Sequence, residues 1–213
     1  MGNDDLGPWE PLSPAQVAGL FTEVRSPWWI AGGYAIELFV GRAYRDHGDI
    51  DVLLLRRDQG VAHDVLPGWD VQAADPPGTL RPWPVGERLP TYVHDIWCRE
   101  TRDTPWRLQF MLDEADGDTW QSRRDDRIRR PVASLGVVID GVPVLRPEVQ
   151  LFYKAKSLRP KDEQDFAAAL PLLDAEARGW LDEALEVTAP EHPWRTALAA
   201  NRDDADLRGS DVD

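Results

Sequence analysis

The hydrophobic and polar positions near the N-terminus follow a helical pattern. In "SPAQVAGLFTEV" the apolar residues recur at helical spacing, so one face of this segment is expected to pack against the rest of the protein. Ser13 suits the N-cap, Pro14 suits the first helical position, and Gln16 completes a capping box. These features predict a helix that begins at Pro14.

In the next stretch of the chain, the hydrophobic pattern alternates between strand and helix. "PWWIAGG" predicts a short strand that ends in a glycine turn, and "YAIELFVG" predicts a helix that stops at Gly41. "DIDVLLL" is a continuous apolar run, which is typical of a strand buried on both faces. The segment after it, "RRDQGVAHDVL", predicts a short helix.

The middle of the chain is rich in Pro and Gly, and its strand signals are short. One strand is expected near residues 69–73, followed by irregular loop. "TYVHDIWCRE" and "WRLQFMLDE" predict two strands joined as a hairpin. "DDRIRRP" is interpreted as a polar connector, and "VVIDGVPVLRP" predicts a smaller hairpin that turns at Asp140-Gly141.

From Pro147 onward the segments are rich in Ala and Leu and helical in pattern. The order of elements therefore predicts an α/β (α+β) fold, with a mixed sheet and flanking helices followed by a helical C-terminal region. We expect a core over residues 1–146, the helical region over 147–200, and a disordered acidic tail over 201–213.

Composition narrows the function classes. The chain has 213 residues with 38 acidic and 24 basic side chains, a formal net charge of −14. This charge argues against nucleic acid and anionic membranes as partners, because phosphate backbones require clustered Lys and Arg. A cationic small substrate would be attracted. The single cysteine, Cys98, excludes an internal disulfide and fits a reducing cytosol. With no signal peptide and no apolar run of membrane-spanning length, we expect a cytoplasmic protein.

Two features at the ends of the segment 28–59 point to a binding site. Gly32 and Gly33 follow a predicted strand and precede a helix, where bare backbone and helix N–H groups suit phosphate. Asp49 and Asp51 are two residues apart on a predicted strand, so their side chains share a face. Two adjacent carboxylates repel unless a cation lies between them, and hard divalent metals prefer carboxylate oxygens. Together the features indicate phosphoryl or nucleotidyl transfer.

The same segment resembles a known family. Its order of motifs is similar to the signature of the DNA polymerase beta-like nucleotidyltransferase superfamily and, more narrowly, resembles the aminoglycoside 2″-adenylyltransferases. The matching residues are Trp29, Ile30, Gly32, Gly33, Tyr34, Ala35, Ile36, Glu37, Gly41, Arg42, Arg45, His47, Asp49, Ile50 and Asp51. The close match covers about 30 residues, and the rest of the chain resembles the family only in layout.

The resemblance implies a nucleotidyltransferase-fold enzyme with specific site residues. Asp49 and Asp51 would act as catalytic metal ligands for two Mg²⁺ ions, and Gly32 and Gly33 would hold the phosphates of a nucleoside triphosphate, ATP being the expected one. An acceptor hydroxyl would attack the α-phosphate and pyrophosphate would leave. The protein is expected to be a monomer or homodimer.

The acceptor stays open at this point. An aminoglycoside, and with it a role in antibiotic resistance, is implied by the resemblance; a lincosamide, another metabolite or a protein hydroxyl are alternatives. A non-catalytic nucleotide-binding or interaction protein on the same fold is the competing interpretation.

That competing interpretation arises because one residue of the superfamily's site has no clear equivalent in this chain. Members of the superfamily carry a third acidic residue on a neighbouring strand, which acts as a metal ligand and general base. The position that aligns with it falls near Gln109, which is not acidic. Asp95 is the first choice for this role, and Asp113 is the alternative. Without either, the protein would bind nucleotide and transfer it slowly or not at all.

Basic residues complete the expected site. Lys154, on a helix that begins near Pro147, is expected to bind the β- and γ-phosphates, and Lys161-Asp162 are expected to brace the two regions of the chain. Arg45 and His47 precede the aspartates, and we expect structural roles for them.

Overall fold

The computed structural model describes residues 6–199. Its strands are β1 (Trp28–Ala31), β2 (Asp51–Leu55), β3 (Asp70–Ala74), β4 (Leu80–Pro82), β5 (Asp95–Arg99), β6 (Leu108–Asp116), β7 (Thr119–Gln121), β8 (Arg129–Pro131), β9 (Gly136–Ile139) and β10 (Val142–Leu145). Its α-helices are α1 (Pro14–Leu20), α2 (Gly32–Val40), α3 (Val61–Val65), α4 (Pro147–Lys154), α5 (Pro160–Ala169) and α6 (Ala175–Thr188), and residues 194–199 are also helical. Short 3₁₀ turns lie at Arg56–Asp58, Val132–Ser134 and Leu170–Leu172.

The strands of the described residues form one mixed sheet. Its main path runs β4-β3-β5-β6-β2-β1-β10-β9, and β7 extends from β6 to β8. The pairs β2–β6 and β1–β10 are parallel, and the other pairs are antiparallel. The predicted α/β class, with a mixed sheet, flanking helices and a helical C-terminal region, is confirmed.

Local signals explain where the elements near the site begin and end. The Ser13 hydroxyl and the Gln16 side chain form both hydrogen bonds of a capping box, as the sequence predicts. Gly41 ends α2 in the left-handed conformation at φ 75°. Asp140 and Gly141 also have positive φ values, of 50° and 80°, which fits the tight turn between β9 and β10.

Four predictions need correction. The expected irregular loop contains β4, which pairs with β3, and the expected polar connector contains β8, which pairs with β7. Both strands are three residues long, too short for an alternating pattern to mark them. Helix α2 begins at Gly32, so the glycine pair forms its first turn. Strand β2 begins at Asp51, so Asp49 precedes the strand instead of sharing it.

The C-terminal helices pack on the same core as the sheet. One cluster of buried apolar side chains extends from Leu12 to Leu198, and every residue of α4 is buried. Helices α4 and α5 both pack against α2, which places them beside the glycine pair. The expected boundary at 146/147 stays a prediction, and the expected tail at 201–213 lies outside the described residues. Within 6–199, no helix is both long and apolar enough to cross a lipid bilayer.

Candidate active site

A cavity of about 280 Å³ lies where β2 and α2 begin, and α4 forms another of its walls. It brings together residues that are far apart in the sequence. Its lining consists of Gly32, Gly33, Arg45, Asp49, Asp51, Gln109, Met111, Arg123, Arg124, Gln150, Tyr153, Lys154, Arg159 and Lys161. Five of the six predicted site residues, all except Asp95, therefore meet in one place.

Gly32 allows the backbone to approach a carboxylate closely. Its φ is +66°, and a Cβ atom at this position would lie 2.0 Å from Asp51 Oδ2. A side chain is therefore excluded both by backbone conformation and by contact. The Gly32 N–H donates a hydrogen bond to Gln150 Oε1 at 2.7 Å. A phosphate that takes this N–H must displace the Gln150 amide.

Gly33 is needed for a different reason. A Cβ atom there would lie 2.3 Å from Arg45 Nη2 and 2.5 Å from His47 Nδ1. His47 pairs with Glu37 at 2.9 Å, and its ring lies 4.2 Å from that of Tyr34. The segment that leads to the aspartates therefore packs directly on the first turn of α2, and Gly33 leaves room for it.

Asp49 and Asp51 are the two carboxylates of the cavity. Both are partly exposed, and neither side chain has a hydrogen bond or an ion pair within residues 6–199. Withdrawal from water, followed by the negative charge of Asp49, raises the pKa of Asp51 to about 7, against the opposing effect of Lys154. The protein thus leaves adjacent negative charge without a bonded partner, the arrangement that a bound cation stabilises.

Lys154 is held by carboxylates of the neighbouring helix α5. Its Nζ lies 2.7 Å from Asp165 Oδ2 and 3.4 Å from Asp162 Oδ1, and both aspartates are fully buried. Arg159 also pairs with Asp162, at 2.7 Å. Lys154 is therefore fixed in the wall of the cavity, and Asp162 links α5 to α4. Both helices belong to the C-terminal region, so the expected role of Lys161-Asp162 in bracing the two regions of the chain stays a prediction.

Asp165 connects this network to the segment before the aspartates. Arg45 donates from Nε and Nη2 to the two oxygens of Asp165, at 2.6 and 2.8 Å, and the Tyr44 hydroxyl donates at 2.6 Å. Burial acts to raise the pKa of Asp165, but the Arg45 hydrogen bonds and the charge of Lys154 lower it on balance.

A third acid does not join Asp49 and Asp51. Gln109 pairs with Asp51 across β2 and β6 and donates to Asp95 Oδ1 at 3.0 Å. Asp95 lies on β5, two strands from β2, which corresponds to a lateral separation of about 10 Å. Asp113 is fully buried and accepts hydrogen bonds from Trp120 Nε1 and the Tyr153 hydroxyl. In the described part of the chain, no three His, Cys, Asp or Glu side chains are placed to hold a metal.

Sequence reasoning missed four residues of the cavity. Arg123 and Arg124 follow β7 and directly precede the segment interpreted as a polar connector; Gln150 and Tyr153 belong to α4. The available signal was two adjacent arginines in a strongly acidic chain. The topology that carries them to the site was not visible in any local pattern.

The chain is similar to known proteins in one stretch of sequence and in its fold. A sequence profile of the family described as aminoglycoside-2''-adenylyltransferase matches residues 15–71, which include the glycine pair and both aspartates. Curated protein sequences give no significant match. The profile covers less than half of the chain, so it shows resemblance to that family over this stretch.

Solved structures extend the likeness to the whole fold. A crystal structure of ANT(2'')-Ia in complex with adenylyl-2''-tobramycin has a TM-score of 0.54 and 20% identity, covering 82% of this chain and 96% of that one. A solution structure of ANT(2'')-Ia has a TM-score of 0.52 and 19% identity, covering 92% and 94%. At these identities the comparison shows the fold alone: a nucleotidyltransferase fold that resembles the aminoglycoside adenylyltransferases, as the sequence predicts.

Proposed function

We propose that this chain is a nucleotidyltransferase that moves a nucleoside monophosphate from a nucleoside triphosphate, with ATP as the expected donor, to a hydroxyl of a small acceptor. The observation that carries the proposal is the pair Asp49 and Asp51, which has no bonded partner and faces the bare backbone of Gly32 in a wall otherwise rich in cations. The fold and the matching family profile support the same reaction class.

The residues present fit Mg²⁺ as the metal. Asp49 and Asp51 would hold it, because they offer carboxylate oxygens that no side chain of residues 6–199 neutralises by a direct ion pair. Bound Mg²⁺ supplies positive charge that neutralises the triphosphate and stabilises charge on the α-phosphate. The superfamily resemblance leads us to expect two ions.

The chain's own cations serve the triphosphate. Lys154 is fixed by Asp162 and Asp165, so its ammonium group is oriented without a change of rotamer. Lys161 is exposed at the cavity, and Arg159 is paired with Asp162. These three groups would bind the β- and γ-phosphates and stabilise the pyrophosphate that leaves.

The transfer step requires an acceptor for one proton. The acceptor oxygen forms a bond to the α-phosphorus, the bond to the bridging oxygen breaks, and pyrophosphate departs. The hydroxyl proton passes to a base, and Asp95 remains our proposal for that base. Gln109 lies between it and Asp51, so Asp95 would act beside the carboxylate pair and not as a ligand of the same ion.

The direct test is pyrophosphate release by the purified full chain with Mg²⁺, each of the four nucleoside triphosphates, and acceptors that include aminoglycosides, lincosamides and other hydroxylated metabolites. Turnover should be lost in Asp49→Asn and Asp51→Asn and kept in Asp46→Asn, an exposed neighbour that does not line the cavity. Tight Mg²⁺-dependent nucleotide binding without turnover across the panel would favour the non-catalytic binding protein instead.

A further inference from the structure

A second and larger cavity adjoins the first. Its volume is about 880 Å³, a size that accommodates a drug-sized small molecule. Arg123 and Arg124 line both cavities, and the consecutive residues Phe152 and Tyr153 of α4 line the large and the small cavity respectively. A ligand in the large cavity would therefore lie next to a triphosphate held by the small one.

The charge of the large cavity is opposite to that of the whole chain. Its lining consists of His94, Arg123, Arg124, Phe152, Ala155, Lys156, Ser157, Leu158, Leu185, Thr188, Ala189 and His192. Within residues 6–199, this wall has three permanent cations and no carboxylate. Burial, followed by the charge of Arg123, lowers the pKa of His94, which keeps this ring neutral near pH 7.

Arg123 is paired at long range with one buried carboxylate. Its Nη1 atom is buried and has no hydrogen-bond partner in the described part of the chain; the nearest carboxylate oxygen, Asp113 Oδ1, is 3.8 Å away. Asp113 is fully buried behind the arginine, and its other oxygen is occupied by Trp120 and Tyr153. It offsets part of the charge of Arg123 without using its hydrogen bonds. Asp113 Oδ1 also has no hydrogen-bond partner within residues 6–199, so Nη1 faces this carboxylate. A ligand in the cavity would contact Arg123 through the part of its side chain that is exposed, 22%.

Arg124 is anchored without a carboxylate. Its guanidinium donates to the carbonyl oxygens of Phe152, at 2.5 Å, and of Tyr153, at the end of α4. Burial is the main cause that lowers its pKa, to about 10, and the charge of Arg123 contributes. Arg124 therefore stays charged at neutral pH beside a second arginine, and an anion between them would relieve the repulsion.

We propose that the large cavity binds the acceptor, and that this acceptor carries an anionic group, a phosphate or carboxylate, bound by Arg123, Arg124 and Lys156. The proposal rests on the proposed nucleotidyl transfer, since it assigns the second substrate of that reaction. It also opposes the sequence-based idea of a polycationic acceptor. The net charge of −14 is a property of the whole chain, whereas an aminoglycoside in this cavity would face three cations in a wall whose described residues include no carboxylate.

The test screens hydroxylated compounds of three charge classes, anionic, neutral and polycationic, by ligand-observed NMR on the full chain. Mg²⁺ and a non-hydrolysable ATP analogue are present so that the small cavity is occupied. Anionic compounds such as sugar phosphates should dominate the hits, and aminoglycosides such as kanamycin should be absent from them. Hits dominated by aminoglycosides, or spread evenly over the classes, would overturn the proposal.

Two variants locate the binding. Lys156→Glu should weaken the anionic hits by about fivefold, the effect of one exposed charge, whereas Arg102→Glu, an exposed residue outside both cavities, should not. Ser157→Trp should block the large cavity and abolish the hits, whereas Gln164→Trp, an exposed substitution on α5, should leave them. Equal effects of a variant and its control would contradict the assignment.

Affinity for the ATP analogue separates this inference from the proposed function. If Ser157→Trp leaves analogue binding unchanged and removes the anionic hits, the cavity is an acceptor site. If it weakens the analogue at least as much as the hits, the cavity holds the nucleoside, and the acceptor assignment is wrong while the nucleotidyltransferase proposal stands. If the wild type fails to bind the analogue at all, it is the proposed function that fails.

Discussion

Two pairs of aspartates lie near the same cavity and differ in burial and in ion pairing. Asp162 and Asp165 of α5 are fully buried, and each is surrounded by cations: Lys154 and Arg159 for the first, Lys154 and Arg45 for the second. Asp49 and Asp51 line the cavity, and no side chain of residues 6–199 forms a direct ion pair with them.

The difference separates carboxylates that form ion pairs within the fold from carboxylates that we propose bind a ligand. The pKa of Asp165 is lowered on balance by Arg45 and Lys154, although burial opposes this, whereas the pKa of Asp51 is raised by loss of water and by Asp49. Asp162 and Asp165 contribute to stability when ionised, whereas Asp51 costs stability when ionised. Such a cost is typical of functional sites, because a bound cation reverses it.

The largest effect is expected from Asp51→Asn on catalysis. Removal of one metal-binding carboxylate should lower turnover by roughly 10³-fold or more, since charge stabilisation on the α-phosphate is lost. Folding should not suffer, because no ion pair is broken. Steady-state pyrophosphate release, with thermal unfolding in parallel, measures both. A turnover equal to that of Asp46→Asn would contradict the role of Asp51.

Asp165→Asn should instead have its main effect on the free energy of unfolding. The change leaves Lys154 and Arg45 buried without their shared counter-ion, and breaking such a pair typically costs about 3–5 kcal/mol. Chemical denaturation measures this loss against Glu176→Gln, an exposed substitution on α6. A loss below about 1 kcal/mol, the value of an exposed pair, would mean that the network on α5 contributes little to the fold.

Gly32→Ala tests the close approach of the backbone to Asp51. A positive φ and a Cβ position 2.0 Å from Asp51 Oδ2 together predict a loss of roughly 2–4 kcal/mol in stability. Gly19→Ala, with nothing within 4 Å on α1, should be neutral or slightly stabilising. Urea denaturation measures the free energy of unfolding of both variants. Similar losses in the two would show that a Cβ at position 32 does not clash with Asp51.

The smallest expected effect is a pH dependence. In the folded protein the pKa of Asp51 is about 7, against a usual value of 3.8, so the folded state binds more protons between these values. Stability should therefore fall as pH rises from about 4 to 7, by the order of 1–3 kcal/mol. Asp51→Asn should remove this slope, and Mg²⁺ should reduce it in the wild type. An unchanged slope in Asp51→Asn would assign it to another group.

Asp165 gives the opposite sign in the acid range. Because its folded pKa lies below the usual value, its stabilisation is present above the unfolded pKa and is lost as pH falls through the folded one. Circular dichroism can follow unfolding of the wild type and of Asp165→Asn as the pH is lowered, and it tests the contrast between the two pairs. In the variant, stability should fall less steeply with decreasing pH than in the wild type.

Local signals predicted half of the site because its residues are close in sequence. Gly32, Gly33, Asp49 and Asp51 lie within 20 residues, and the motif order alone indicates a phosphate site beside a metal site. The capping box at Ser13 and the turn at Asp140 were predictable for the same reason: each depends on three or four adjacent residues.

The remaining half depends on contacts between distant segments. Arg45 and Asp165 are 120 positions apart, and Gly32 and Gln150 are 118 apart. No periodic pattern encodes such pairs, because they arise only when α4 and α5 pack against α2. The positions of Arg123 and Arg124 in the two cavities also depend on contacts with a distant segment, helix α4. Their only local signal was their adjacency.

Metal and nucleotide binding to the carboxylate pair tests the central claim most directly. Isothermal titration of Mg²⁺ and a non-hydrolysable ATP analogue should show tight, Mg²⁺-dependent binding to the wild type and to Asp46→Asn. The same titration should show loss of that binding in Asp49→Asn and Asp51→Asn, with both variants folded. Equal affinity in all four proteins would show that the two aspartates do not hold the metal and would contradict this account.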